Sequence, residues 1–232
     1  MTVIPGAATL GRMGKPRSPK GRATVVATLL AEQFPGSAKD LCELDHESPY
    51  QLLAATILSA QTTDKRVNEV TPVLFRRYPV PADLAGADIA ELEEIVHSTG
   101  FYRNKAKSLI GMARALVERF DGDVPPAMED LVTIPGTGRK TANVVRSVAM
   151  NEPGLPVDTH VLRLSKRLGL VGDDLGDDAV KVELALNALV PAAERGVFSL
   201  RVILHGRRVC DARKPQCDEC VLADVCPSAG RV

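Results

Sequence analysis

The chain has 232 residues, enough for one large domain or two small lobes with a buried core. Apolar residues make up 45% and charged residues 25%, ordinary proportions for a soluble globular protein; aromatics are only 3%, with no Trp, so the core is aliphatic, which favours packed helices over a β-sandwich. No apolar run reaches the ~18 residues of a membrane span, residues 1–22 lack the apolar stretch of a secretory signal, and the formal net charge is zero, so bulk charge announces no polyanionic partner.

Residues 1–21 read as a flexible basic arm. Arg12, Lys15, Arg17 and Lys20 stand there without an acid, and Pro5, Pro16 and Pro19 argue against an amphipathic targeting helix. Short amphipathic helices follow. GRATVVATLLAEQF (21–34) forms the first and ends near Pro35-Gly36. SPYQLLAATILSA (48–60) has Ser48 as N-cap and Pro49 as first helical residue. Thr63 or Asp64 caps a third helix reaching Arg77. Within 101–120, Ala106, Leu109, Ile110, Ala113, Leu116, Val117 and Phe120 recur three or four apart, which is one face of a helix. The segments 139–150, 159–168, 177–190 and 193–205 repeat the pattern, and strict alternation is hard to find, so the expected class is all-α.

Charge is segregated along this framework. Acids collect at 83–94 and 173–178, whereas 201–214 carries Arg201, Arg207, Arg208, Arg213 and Lys214 against the single acid Asp211. Such a stretch is either a solvated surface or a local basic face of the kind a polyanion meets.

The stretch IPGTGRKTAN (134–143) joins two helices. Helix–turn–helix joints with glycines are common and most bind nothing. Here Pro135 stops the preceding helix, and Gly136 and Gly138 permit positive φ and bring no side chain, so a ligand can approach the backbone. Arg139-Lys140-Thr141 then opens a helix whose N–H groups and positive dipole end favour an anion. A hairpin of this kind grips a DNA phosphate without reading a base. Eighteen residues after Lys140, Asp158 stands just before an apolar-periodic helix, where it acts at least as an N-cap.

Four of the five cysteines lie in CDARKPQCDECVLADVC, spaced Cys210-x6-Cys217-x2-Cys220-x5-Cys226. With no signal peptide, disulfides are the weaker reading and a metal the stronger. Zinc sites usually carry two tight knuckles, and only Cys217/Cys220 makes one. The wider arms, and Pro227 after the last cysteine, suit a [4Fe–4S] cubane, with zinc left open on spacing alone. Cys42 stands apart and is expected to be a small buried hydrophobe.

Three stretches together, LSAQTTD (58–64), IPGTGRKTANVV with VDTH (134–145, 157–160) and LHGRRVC through the four-cysteine run (204–226), resemble the endonuclease III family of DNA-repair glycosylases. The resemblance covers about residues 22–227. It implies two helical lobes with a DNA-binding cleft, a helix-hairpin-helix and a C-terminal [4Fe–4S] loop. The expected division is the arm (1–21), a cluster domain (22–41 plus 155–232) and a helical barrel domain carrying the hairpin (42–154).

The resemblance also implies an activity: excision of oxidised pyrimidines from duplex DNA, then cleavage of the strand at the abasic site by β-elimination. By motif match Lys140 is the nucleophile and Asp158 the essential carboxylate. Gln61 fills the hole left by the flipped nucleotide. Phe101 wedges the opposite strand, where Leu is more usual; alternatively it starts a helix as a core residue. Gly136, Gly138 and Arg139 grip a phosphate, Arg207, Arg208, Arg213 and Lys214 meet others, and Cys210, Cys217, Cys220 and Cys226 hold the cluster. The hairpin departs from the commoner LPGVGRK at Ile134 and Thr137. The implied partner is duplex DNA with oxidised pyrimidines or abasic sites, bound by a monomer in the cytoplasm, on the nucleoid in a bacterium. Two other readings share parts of the pattern. One is a monofunctional glycosylase of the adenine-mismatch type, against which Lys140 argues. The other is a non-catalytic DNA-binding module with a structural metal.

Overall fold

A computed structural model describes residues 16–231 and, among them, contains helices and turns but no strand. Residues 1–15 of the expected basic arm lie outside the described residues. The helices in chain order are α1 (Pro19–Gln33), α2 (Ala38–Leu41), α3 (Pro49–Leu58), α4 (Asp64–Arg77), α5 (Pro81–Ala85) and α6 (Ile89–Val96). They continue with α7 (Tyr102–Phe120), α8 (Met128–Leu131), α9 (Arg139–Ala149), α10 (Thr159–Arg167), α11 (Ala179–Leu189) and α12 (Arg195–Arg208).

Local chemistry sets the starts. Ser18, Ser48, Thr63, Asp88, Asp158 and Asp178 each accept backbone N–H bonds from the first turn of the helix they precede. The first helix begins at Pro19, two residues earlier than the apolar pattern suggests, because Ser18 caps it and proline suits the first helical position. α12 runs on to Arg208 rather than stopping at residue 205, and so carries Arg207 and Arg208 in its last turn.

The chain divides into two compact units, Met1–Leu41 with Pro153–Val232, and Cys42–Glu152. In the discontinuous unit, α12 packs on α10, α1 and α2, and α11 packs on α1. Val26, Leu30, Val161, Leu164, Val182, Leu186 and Phe198 are among the residues that meet in its core. Long bonds fasten its two chain segments: Arg22 Nε donates to the Gly169 carbonyl at 3.1 Å and Arg201 Nε to the Phe34 carbonyl at 3.0 Å.

In the contiguous unit, α7 packs against α3, α5 and α6, while α9 packs on α3 and α8. Leu52, Leu53, Leu74, Leu84, Leu92, Leu109, Met112, Ala142 and Val145 are fully enclosed there. Each such Leu contributes about 1.5–3 kcal/mol by leaving water. This aliphatic packing holds the loop before α4, the loop before α7 and the hairpin before α9.

Candidate functional site

The hairpin lies between α8 and α9. Ile134 is buried, and Thr137 N–H donates to its carbonyl at 3.0 Å, which closes the turn. The two glycines have different reasons to be glycine. Gly136 has φ +80°, and a Cβ there would lie 3.0 Å from Ser108 Cβ and 3.2 Å from Ile57 Cδ1. The fold itself therefore demands it. Gly138 has φ −85° and ψ 172°, ordinary for an N-cap, so the positive φ that glycine permits is not used at this position. A Cβ on Gly138 would meet nothing within 4 Å. With no side chain at the cap and no acid in the first turn, α9 presents the positive end of its dipole openly. Arg139 is half-buried and Lys140 is exposed on this turn.

Gln61 and Phe101 share a second feature. Both are non-glycine residues in the left-handed region, with φ of 54° and 48°. Phe101 is 66% exposed and precedes α7, which excludes the core reading. Gln61 is exposed as well. Their loops are joined, because Thr62 Oγ1 donates to the Thr99 carbonyl.

Asp158 caps α10. Its Oδ1 accepts from His160 N–H at 2.8 Å and Val161 N–H at 2.9 Å, so the half-buried carboxylate has a fixed direction. The segment leading to it is anchored by Ser199, whose hydroxyl donates to the Pro156 carbonyl. Close packing of α10 on α12 depends on Gly206, where a Cβ would fall 2.8 Å from His160 Nδ1.

The four clustered cysteines are unbridged and half-buried. They line one cavity, closed on its apolar side by Leu164, Leu168 and Leu222. Burial, then the neighbouring thiols, push the Cys220 thiol up to about 11, and Cys226 is raised mainly by burial too. At these two positions burial favours the protonated thiol, so metal must displace those protons. Among the described residues no group of three or more His, Cys, Asp or Glu is placed to hold a single metal ion. Four sulfurs around one cavity are a donor set that suits a [4Fe–4S] cluster.

Neighbouring cations serve this loop. Arg167 Nη1 lies 3.3 Å from Cys210 Sγ and donates to the Asp211 carbonyl, while Nη2 donates to the Ala212 carbonyl. Arg163 Nη2 donates to the Gly206 and Cys210 carbonyls. Sequence reasoning missed both arginines, and their spacing of four on α10 was the available signal. Arg207 and Arg208 are exposed, the latter with its guanidinium 5.6 Å from the Phe34 ring centre. Arg213 and Lys214 are exposed on a turn held by Asp211, whose Oδ1 accepts both their backbone N–H groups. Arg201 differs from these, since its guanidinium is spent on the Phe34 and Gly36 carbonyls. Cys42 is half-buried rather than enclosed, because its loop leaves the sulfur partly open with only a 3.7 Å contact to the Leu44 carbonyl.

The family described as HhH-GPD superfamily base excision DNA repair protein matches residues 54–192, and the iron–sulfur binding domain of endonuclease III matches residues 210–226. Endonuclease III of Synechocystis sp. is 53% identical over 216 residues, covering 93% of this chain and 96% of the relative.

The chain belongs to the endonuclease III family.

Two solved endonuclease III structures match it at TM-score 0.83 and 40% identity, covering 90% of this chain and 96% of each of theirs. One is a non-covalent endonuclease III–DNA complex; the other is a trapped endonuclease III–DNA covalent intermediate, an estranged-adenine complex. A thermostable thymine-DNA glycosylase, 22% identical with TM-score 0.79, shares the fold. In this endonuclease III family member the cysteine run coincides with the iron–sulfur match, which agrees with the donor set described above.

Proposed function

We propose that the chain is a bifunctional DNA glycosylase and abasic-site lyase of base excision repair, acting as a monomer on oxidised pyrimidines in duplex DNA. The observation that carries this reading is Lys140, an exposed amine on the first turn of the hairpin helix in an endonuclease III family member. The covalent DNA intermediate trapped with a relative supports it. Substrate of this kind puts its work on chromosomal DNA, in the nucleoid of a bacterium; no helix among the described residues is long and apolar enough to cross a membrane.

A damaged base cannot be attacked inside the stack, so the nucleotide is rotated out, at a cost of a few kcal/mol. Gln61 occupies the vacated space and Phe101 stacks at the opposite strand. The α9 N-terminus and Gly138 hold a backbone phosphate, so the sugar is fixed beside Lys140.

The Lys140 amine then forms a bond to C1′ as the glycosidic C–N bond breaks; the base leaves with the electron pair and takes a proton from water. Asp158 stabilises positive charge on the sugar and accepts the proton shed by the amine. Ring opening gives a Schiff base, as lysines form with carbonyl carbons. That iminium acidifies C2′–H; loss of this proton expels the 3′ phosphate, and water frees Lys140.

Cys210, Cys217, Cys220 and Cys226 would hold the [4Fe–4S] cluster, which supplies a cross-link of four thiolates. Around it Arg207, Arg208, Arg213 and Lys214 meet phosphates, so a chain of zero net charge binds DNA through local patches.

Borohydride trapping on a duplex with one abasic site tests the reading. Wild type should give a covalent adduct that Lys140→Ala loses. No adduct from folded, DNA-binding wild type would leave a monofunctional glycosylase or a DNA clamp.

A further inference from the structure

Lys105 is buried where the sequence shows only an amphipathic helix. It lies near the start of α7 and is 5% exposed. Its Nζ donates to Thr62 Oγ1 at 2.7 Å and to the Thr99 carbonyl at 2.7 Å. Thr62 Oγ1 donates to the same carbonyl, so three groups from three stations of the chain close into one ring.

As a core element this is a poor choice. Burying an ammonium is costly unless a partner compensates, and the positive end of a helix repels it further. Burial lowers the Lys105 pKa, and the oxygens that its amine meets are neutral. Methionine would fill the same volume without that cost.

The ring's position supplies the reason. Thr62 directly follows Gln61, and Thr99 stands two residues before Phe101. Gln61 and Phe101 are both exposed and both strained into left-handed backbone. Such strain persists only where the surroundings over-determine it. The Lys105 ring is a surrounding the two loops share.

We infer that Lys105 is a positioning residue that ties the Gln61 loop to the Phe101 loop and so fixes the spacing at which the two side chains enter an opened base pair. It rests on the roles given to Gln61 and Phe101 above. At 5% exposure Lys105 acts through the two loops that it bonds. Its effect is to preset the two loops, so that their ordering is not charged to each binding event.

The test uses the full-length, cluster-loaded protein. Single-turnover base excision is measured on a duplex with one oxidised pyrimidine. Wedge insertion is read from 2-aminopurine fluorescence opposite a tetrahydrofuran abasic analogue. Lys105→Met and Thr62→Val should each slow excision about tenfold and weaken the 2-aminopurine signal, and Thr62→Ser should restore both. Lys105→Met should add little in a Phe101→Ala background, because coupled residues are non-additive. Additive losses, or normal excision by the folded Lys105→Met protein, would overturn the proposal while leaving the wedge reading intact. Normal excision by Phe101→Ala and Gln61→Ala would instead sink the wedge reading, and the proposal with it. If Lys105→Met does not fold, Thr62→Val and Thr62→Ser carry the same comparison.

Discussion

Gly136→Ala and Gly138→Ser put opposite demands on the hairpin. At Gly136 an added Cβ must accept φ +80°, which costs an L-residue about 1–2 kcal/mol. It also meets Ser108 Cβ at 3.0 Å and Ile57 Cδ1 at 3.2 Å, overpacking worth about 1–3 kcal/mol. The sum, about 3 kcal/mol, should lower Tm by about 9 °C in a chain of this size. Gly138 carries neither penalty, since its φ is −85° and its Cβ direction is open. Serine caps helices slightly better than glycine, so Gly138→Ser should keep or raise Tm. Its hydroxyl, however, would take the first-turn N–H groups that a phosphate needs. Losing one charge-assisted hydrogen bond costs about 1.5–3 kcal/mol, roughly 10–100-fold in Kd. Thermal melts and fluorescence anisotropy on an abasic-analogue duplex separate the two effects. Wild-type affinity in a well-folded Gly138→Ser protein would refute the backbone phosphate grip.

Four further outcomes follow from the structure. The Thr137 hydroxyl is buried without a hydrogen-bond partner among the described residues, so Thr137→Val should stabilise by about 1 kcal/mol, a rise in Tm of about 3 °C; a fall would mean that the hydroxyl has a partner. Iron removal, or Cys220→Ser, should strip hydrogen-exchange protection from residues 209–231 while the unit Cys42–Glu152 keeps its own. Because the free Cys220 thiol sits at about 11, cluster reloading should strengthen as pH rises, and a reloading affinity flat in pH would contradict this. Arg213→Ala and Lys214→Ala should each reduce the slope of log K against log salt by about 0.9, whereas Arg201→Ala should lower Tm and leave the slope alone.

What the sequence made legible was local. Caps need a side chain and the two or three residues after it, so Ser48, Thr63 and Asp158 could be read from spacing, and all three accept the expected first-turn bonds. The cysteine run is short enough that spacing alone pointed to a metal, with a cluster preferred and zinc left open. Partners far apart in sequence were illegible. Lys105 looks like a solvated charge until Thr62 and Thr99 are brought to it, and Arg167 looks the same until Cys210 is. Phe101 was ambiguous because a residue that starts an amphipathic helix can belong to its core; in the structure it is 66% exposed, with left-handed backbone. At Gly138 neither backbone strain nor a close neighbour requires glycine, since φ is −85° and a Cβ would meet nothing within 4 Å.

The discontinuous unit has a consequence for synthesis. α1 is made early, yet its fastenings lie at sequence separations of 147, 167 and 172 residues, to Gly169, Arg201 and His205. At the usual elongation rate of about 5–20 residues per second, α1 waits roughly 10–30 seconds for them. During that time Val26, Leu29 and Leu30 lack the helices that later cover them, while the intervening 42–152 segment is already complete and free to fold. The nascent chain therefore carries a sticky, uncovered α1 while the whole 42–152 segment is made. Its closure waits for the same stretch of chain that brings the cysteines of the 210–226 run, so holdase chaperones and iron–sulfur delivery would compete for one emerging segment.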